Sequence, residues 1–288
     1  MIRLSGALVA SFLCIAPAFA QDQSAPASAE VAEAASEGAA RLTLGVGAAY
    51  FPDYEGSSHN RWTPIPVANG TVAGMSFTLV GNRAQLDVIP NGTGPGWDIQ
   101  LGPVAVYNMN RSNRDAIHDP RVRALGEVDS ALEVGGYFGI GRTGLITSDF
   151  DKLSVTISYR KDVTKVHRAG VWNPVITYST PLSTKAMISL SASAEIVEDR
   201  YARTYFGVTP AQSVASGLPI FRPEGGQKDI TFGGYVAYAL TGNLTKGLSL
   251  VAGGTYRKLV NDFADSPLVS IAGDRNQWTG AAGLALTF

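Results

Sequence analysis

The chain has 288 residues, 45% of them hydrophobic and 16% charged, with 23 basic and 24 acidic side chains and 32 glycines. This near-balance of charge removes the electrostatic footprint expected of a nucleic-acid binder. A single cysteine, Cys14, excludes a disulfide framework and any cysteine-based metal centre.

Residues 1–20 read as a signal peptide. Arg3 supplies the positive start, residues 4–16 a short apolar run, and Ala18-Phe19-Ala20 a small-x-small cleavage pattern, so the mature chain is expected to begin at Gln21. The run is too short and wrongly flanked for a spanning helix. Cys14 leaves with it, and Ser11-Phe12-Leu13 before it lacks the small residue of a lipoprotein processing site. Residues 21–40 are mostly Ala, Ser and Glu with one Pro and no β pattern, which predicts a flexible periplasmic tether. No long apolar run follows. A membrane protein without helical spans has to be a closed sheet, because only that also satisfies every backbone group in lipid.

From Arg41 onward period-two alternation recurs. Leu42, Leu44, Val46, Ala48 and Tyr50 share one face, opposite Thr43, Gly45, Gly47 and Ala49. A second strand is expected over 62–72, weakened by Pro64 and Pro66 on one face, then two short strands near 75–80 and 84–89. Trp97, Ile99, Leu101, Pro103, Ala105 and Tyr107 form a long outward face with aromatic ends. Further strands follow over 132–140, 153–160, 172–178, 188–196, 230–240 and 248–260. The pattern is clearest at 153–160, where Ile157 is assigned to lipid and Ser158 to a hydrated lumen. The last strand, 277–288, has Trp278, Gly280, Ala282, Leu284, Leu286 and Phe288 on one face. Aromatic rings at both ends of an apolar face suit a strand crossing a bilayer.

About twelve strands result, an even count that puts both termini on one side. The long connections, 51–60, 110–126, 199–226 and 261–274, then fall on the outer side. The shorter ones, 90–96, 141–150, 181–185 and 241–247, fall on the periplasmic side, the expected asymmetry. The fold class is all-β: an antiparallel transmembrane β-barrel over 41–288. A soluble sandwich has no need of this loop segregation. Five charges fall on inward faces, Asp87, Asp98, Glu133, Arg160 and Glu195. They form either lumen salt bridges or the eyelet of a narrow channel.

The loops carry a resemblance. Pro52-Asp53-Tyr54-Glu55-Gly56-Ser57 is similar to the PDYEGS signature of the MipA/OmpV family. Asp199-Arg200-Tyr201 with Tyr205-Phe206-Gly207-Val208 resembles its D-x-x-Y-F-G-V loop at stretched spacing. Tyr256 to Leu259, then Asp262, Ala264-Asp265-Ser266-Pro267-Leu268-Val269, resembles its Y-x-x-L-x-x-D-A-A-D-S-P-L-V segment, with Phe263 where the family often has Ala. The likeness spans about 42–288. It implies a barrel in the outer membrane of a Gram-negative bacterium, in contact with outer-membrane lipid and lipopolysaccharide. It implies Phe288 as the terminal residue read by the barrel-assembly machinery. For some members it implies a scaffold role in peptidoglycan biosynthesis, with a lytic transglycosylase and a penicillin-binding protein as partners. No cofactor is implied.

The remaining candidates for chemistry sit in the outer loops. His59, His118 and His167 are all expected there and solvated. Asp53, His59, Ser57 and Ser58 share one loop, the raw material for a Ser/His/acid set in an outer-leaflet enzyme. Asp262, Asp265 and Asp274 with Asp53 and Glu55 would make an acidic outer patch suited to divalent cations, or serve as turn formers. Three functions therefore compete: a scaffold with a filled lumen, a narrow solute channel, and an outer-leaflet enzyme using His59.

Overall fold

A computed structural model describes residues 41–72, 74–90 and 95–288. The predicted signal peptide and tether lie outside the described residues. Twelve antiparallel strands close on themselves: β1 (Leu42–Pro52), β2 (Asn60–Val72), β3 (Met75–Val80), β4 (Arg83–Asp87), β5 (Gly96–Asn108), β6 (Ala131–Thr143), β7 (Lys152–Asp162), β8 (Gly170–Pro181), β9 (Ala186–Val197), β10 (Gly226–Ala239), β11 (Gly247–Leu259) and β12 (Asn276–Thr287). Each strand pairs with its sequence neighbours, and β1 pairs with β12 from Thr43↔Thr287 to Tyr50↔Gly280. Closure gives every strand a partner on each side, although β2 runs on above the short β3. Among the described residues no helix is long and apolar enough to cross a membrane.

The wall has the two faces that the alternation predicts. Val46, Ile99, Val155, Ile157, Phe232 and Leu284 are exposed on the outside. Aromatic pairs cap the outer ends of this belt: Tyr50 with Trp62, Tyr159 with Trp172, and Tyr256 with Trp278, with centroids 4.7–5.4 Å apart. Trp97, under the Arg142 guanidinium at 5.2 Å, and Phe288, bonded through its N–H to Leu42 O, mark the periplasmic ends. Two girdles flanking an apolar band are the interface pattern of an outer-membrane barrel. Pro64 and Pro66 are tolerated in β2 because β3 pairs with it only from Val67 downward, so their missing N–H groups fall where that ladder has ended.

The outer loops depart from the sequence reading. They are not irregular polar segments. They contain a 3-10 turn (Arg114–Ala116) and five short helices: α1 (Pro120–Ala124), α2 (Asp199–Phe206), α3 (Pro210–Ser216), α4 (Asn261–Asp265) and α5 (Pro267–Ser270). Their caps are local. Asp119 caps α1, Thr209 and Gln212 form a capping box on α3, and Ser266 caps α5, each with Pro in the first turn. The helices pack into two apolar clusters above the strands. One holds Tyr201, Tyr205, Phe206, Phe263 and Val269 with Val171 and Val197 from the strand ends. The other holds Tyr54, Ile117, Val122, Leu125, Val208 and Leu268. Together they roof the outer mouth of the barrel. Ser158 corrects a second expectation: it is 2% exposed, so the lumen at that level is packed and not hydrated.

Candidate functional site

The site is the lumen directly beneath the roof. β1 carries the chain up to Pro52, and the residues that follow turn inward: Asp53, Tyr54, Glu55, Gly56 and Ser57 are all buried. Tyr54 shares its hydroxyl proton between the carbonyl oxygens of Leu268 and Ala272, each 3.1 Å away. Burial, reinforced by the nearby Asp119 charge, raises the Tyr54 phenol above its ordinary value. Gln277 at the start of β12 ties the same turn down, accepting from Gly56 N and donating to Ser57 O. Gly56 has φ +96°, and a Cβ there would meet Val269 at 2.4 Å, so this position needs glycine.

Glu55 is the centre of the arrangement. Its carboxylate accepts from Lys228 Nζ at 2.5 Å, Arg257 Nη1 at 3.1 Å, Tyr201 OH at 3.0 Å and Asn110 Nδ2 at 3.2 Å. Lys228 also pairs with Glu195, and Arg160 bridges Glu195 to Glu133. Glu133 accepts from Asn108 at 3.0 Å and faces His167 Nε2 at 3.2 Å. His167 Nδ1 accepts from Ala169 N, which places the ring proton on Nε2, toward Glu133. Asp229 completes the set, 3.7 Å from Arg257 and 3.8 Å from Lys228. Glu133 and Lys228 are 0% exposed, Arg160 1% and Glu195 2%. Charges this dry persist only when paired and hydrogen-bonded.

The structure thus brings together Glu133, Arg160 and Glu195 from the predicted lumen set and adds Glu55, Lys228, Asp229, Arg257 and His167. Asp98 lies apart at the periplasmic end, paired with Lys152 at 2.7 Å. Asp87 accepts from the backbone N–H groups of Ile89 and Leu101. His167 corrects the reading of a solvated loop histidine, being 2% exposed. Lys228 was invisible to period-two reasoning. A register shift between Gln227 and Asp229 against β9 marks a bulge, so that Lys228 and Asp229, adjacent in sequence, are both buried. The signal available was the run Lys228-Asp229 just ahead of the β10 alternation.

The acidic outer patch does not form. Glu55 is buried among cations, Asp262 accepts from Glu224 N, Asp274 caps Asn276, and Asp265 is exposed. Asp199 likewise works locally, accepting from Gly225 N and Arg203. Ser266 donates to Phe206 O, and Pro267 opens α5. Tyr205 and Phe206 pack in the roof, and Phe263, the departure from the family pattern, stands edge-on to Phe206 at 5.1 Å. Gly207 follows α2 where a Cβ would meet Arg203 O at 2.5 Å. Carboxylate oxygens of Glu55, Glu195 and Asp229 lie within 4.8 Å of one another. Lys228 and Arg257 already bind between them, so the grouping is an ion-pair network in place of a cation cage.

Nor does the loop chemistry assemble as a triad. The acid partner of the loop, Asp53, binds His118 Nδ1 at 2.7 Å and not His59. His59 stacks on His118 at 5.5 Å and meets Ser58 Oγ at 3.3 Å, while Ser57 Oγ is held by the His59 backbone. Arg111, fully buried with φ +61°, binds the carbonyls of Tyr205 and Gly126. Burial pulls its guanidinium down to about 10 against the opposing influence of Tyr54 and Tyr205.

A closed twelve-strand barrel with an apolar belt, two aromatic girdles and a roofed outer mouth is an outer-membrane β-barrel. Residues 44–288 match the family described as MltA-interacting protein MipA, and the chain belongs to that family. No curated protein matches the sequence. Solved structures with a similar fold include the outer membrane channel DcaP of Acinetobacter baumannii (8% identity, 87% of this chain and 96% of that chain, TM-score 0.37). An outer membrane channel from Pseudomonas putida F1 is similar at 11% identity, over 86% of this chain and 95% of that one, with TM-score 0.37. The translocator domain of the autotransporter NalP from Neisseria meningitidis is similar at 9%, over 91% and 94%, with TM-score 0.37.

Proposed function

We propose that this barrel is a non-enzymatic scaffold of the outer membrane, whose outer mouth is kept shut so that it does not conduct. The supporting observation is Glu55, which drops from the β1–β2 loop into the lumen and binds Lys228, Arg257, Tyr201 and Asn110 from four separate segments. Three of the five inward charges that an eyelet would use, Glu133, Arg160 and Glu195, are consumed in that network. The partners in this reading are murein-synthesis enzymes, first a lytic transglycosylase, in keeping with the description of the family, and a penicillin-binding protein. They would be met on the periplasmic side, where β1 begins at Leu42. The nearest serine, histidine and carboxylate groups in the outer loops are bonded in the wrong pairs for acyl transfer, which supports the non-enzymatic part.

Planar-bilayer recording tests the closed mouth. Wild-type protein should give no steady ionic steps. A variant with residues 199–225 replaced by a short Gly-Ser turn can still close its hairpin, because Val197 and Gly226 already pair across the gap, and should conduct once the roof is gone. Steady conductance by the wild type would instead establish a channel. Retention of a lytic transglycosylase from solubilised envelope on the immobilised barrel tests the partner, and failure to retain it removes the scaffold assignment.

A further inference from the structure

Below the ion-pair network the lumen changes character. A cavity of about 190 Å3 runs along the inner wall formed by β10, β11, β12, β1 and β2, from Phe51 near the roof to Thr43, Thr287 and Leu244 at the periplasmic end. The room comes from the sequence. Where β1 meets β12 the inward positions are Gly45, Gly47, Ala281, Gly283 and Ala285, paired as Gly45↔Ala285 and Gly47↔Gly283. The strands approach so closely there that a Cβ on Gly283 would lie 2.7 Å from Gly47 Cα. On the neighbouring strands stand the larger side chains Ile65 and Val67, paired with Gly47 and Gly45, and Val251, paired with Gly283; Met187 and Tyr235 line the cavity farther round the wall. Among the described residues that line the cavity there is no carboxylate, ammonium, guanidinium or imidazole. The polar atoms are hydroxyls and the Asn69 amide, and two of the hydroxyls, Thr43 and Thr287, are bonded to each other at 2.9 Å.

We propose that this lower lumen is a binding site for one small uncharged hydrophobic molecule, taken up from the periplasmic end. Three observations select that class. The wall offers no partner for a charge, and burying an unpaired charge is strongly unfavourable. The volume sets the size: an apolar cavity of about 150 Å3 in a soluble protein stays dry and takes up benzene, so about 190 Å3 admits a single ring with a small substituent. The roof and the buried Glu55–Lys228 pair close the outer end, which leaves the periplasmic end as the entrance. A pocket closed at one end binds without conducting, so this inference stands whether or not the scaffold reading holds.

The test uses the mature protein in lipid nanodiscs and fluorobenzene observed by fluorine NMR. Wild-type barrel should give a bound resonance distinct from lipid-partitioned probe. Toluene should displace it and benzoate should not. Ala281→Leu and Val251→Phe fill the cavity from the adjacent strands β12 and β11, and in whichever of them keeps the compact heat-modifiable form the bound resonance should be lost. A resonance that survives in a folded filled variant is lipid partition and overturns the site. So does the absence of a bound resonance in the wild type. Equal displacement by benzoate overturns the uncharged class, a result that the wild type alone supplies even if both variants fail to fold.

Discussion

The two ends of this barrel are ordered by different means. At the outer end the helix caps are local, but the ties that hold the roof to the lumen are long-range. Glu55 meets Lys228 173 positions away, Tyr54 reaches Leu268 and Ala272, and Ser266 donates to Phe206 O. At the periplasmic end the turns are held mainly by their own residues, with neighbouring hairpins adding Tyr178 OH to Asp151 and Leu244 N to Thr184 O. Asp151 gathers Leu145, Ile146 and Thr147 N–H groups, Ser183 caps Lys185 and Ala186, and Asn243 binds Thr245. The lumen follows the same division. Its upper half is filled by charges that the roof keeps dry, while in its lower half the wall from β10 round to β2 is built of small residues that leave room and Asp98 and Lys152 pair on the other side. A roof built from distant segments can form only after the wall has brought them together, whereas the turns can form with their own hairpins.

The largest effect is expected from removing one charge beneath the roof. Lys228→Met leaves Glu55 and Glu195 facing each other without the ammonium between them. Removing one partner from a buried pair costs about 3–5 kcal/mol. The midpoint for loss of the compact form on gels should fall by a wide margin, and the 199–225 segment should become open to protease added outside cells. Unchanged protection would mean that the apolar clusters alone hold the roof.

The next effect concerns the wall of the lower half, where one position separates lipid from lumen. Leu284→Arg places a charge on the exposed apolar face, at a cost of about 2–4 kcal/mol near the midplane. Ala285→Arg points into the cavity beside Thr43 and Thr287, within reach of periplasmic water. Folding yield into liposomes should drop far more for the first than for the second. Equal yields would mean that the lower lumen is as closed to water as the upper.

How much of this was legible in the sequence follows the same line. Lipid on one side and a different environment on the other impose period two, so the strands from Leu42 to Thr287 could be read to within about four residues at their ends. Tilted aromatic pairs such as Tyr256 and Trp278 are cross-strand neighbours, and the rings themselves were legible as girdle residues. The roof was not. α2 has eight residues and α4 five, too few for a helical period to stand out. Their stability comes from packing against segments whose proximity only the closed barrel creates. Lys228 escaped because a bulge breaks the alternation at that residue, and Arg257, an inward position of the strand expected at 248–260, was not counted among the inward charges. The buried state of Pro52 to Ser57 carries no local signal. Asp, Glu and Ser there look like a solvated turn until Lys228, His118 and Gln277 are placed around them.

A smaller perturbation tests a single long-range tie in the roof. Tyr54→Phe keeps the ring in its apolar cluster and deletes the hydroxyl that serves Leu268 O and Ala272 O. Leaving buried acceptors without a donor costs about 1–3 kcal/mol. Amide exchange around 266–272 should quicken while exchange in the strands stays as it was. Global acceleration would show that roof and wall unfold as one unit.

The smallest effect belongs to the periplasmic end and appears only with pH. Asp151 is surrounded by donors: Leu145, Ile146 and Thr147 N–H, Thr147 Oγ1 and Tyr178 OH. Burial pushes its carboxyl up, but these hydrogen bonds, led by Thr147 and Leu145 N–H, outweigh it and hold the group below the usual carboxylate range. A folded-state value lower than the unfolded one means that the ionised form stabilises the fold. That contribution is fully present above the unfolded value, about 3.9, and is lost as pH falls through the folded one. Amide protection at 145–147 should therefore hold at neutral pH and weaken on acidification below about pH 4. Asp151→Asn should lower protection at neutral pH and remove the acid dependence. The partners of Asp151, Tyr178 included, all lie at the periplasmic end, so the roof should not respond to Asp151→Asn. Faster exchange at 266–272 in that variant would show that the two ends are coupled through the wall, and the division between them would fail.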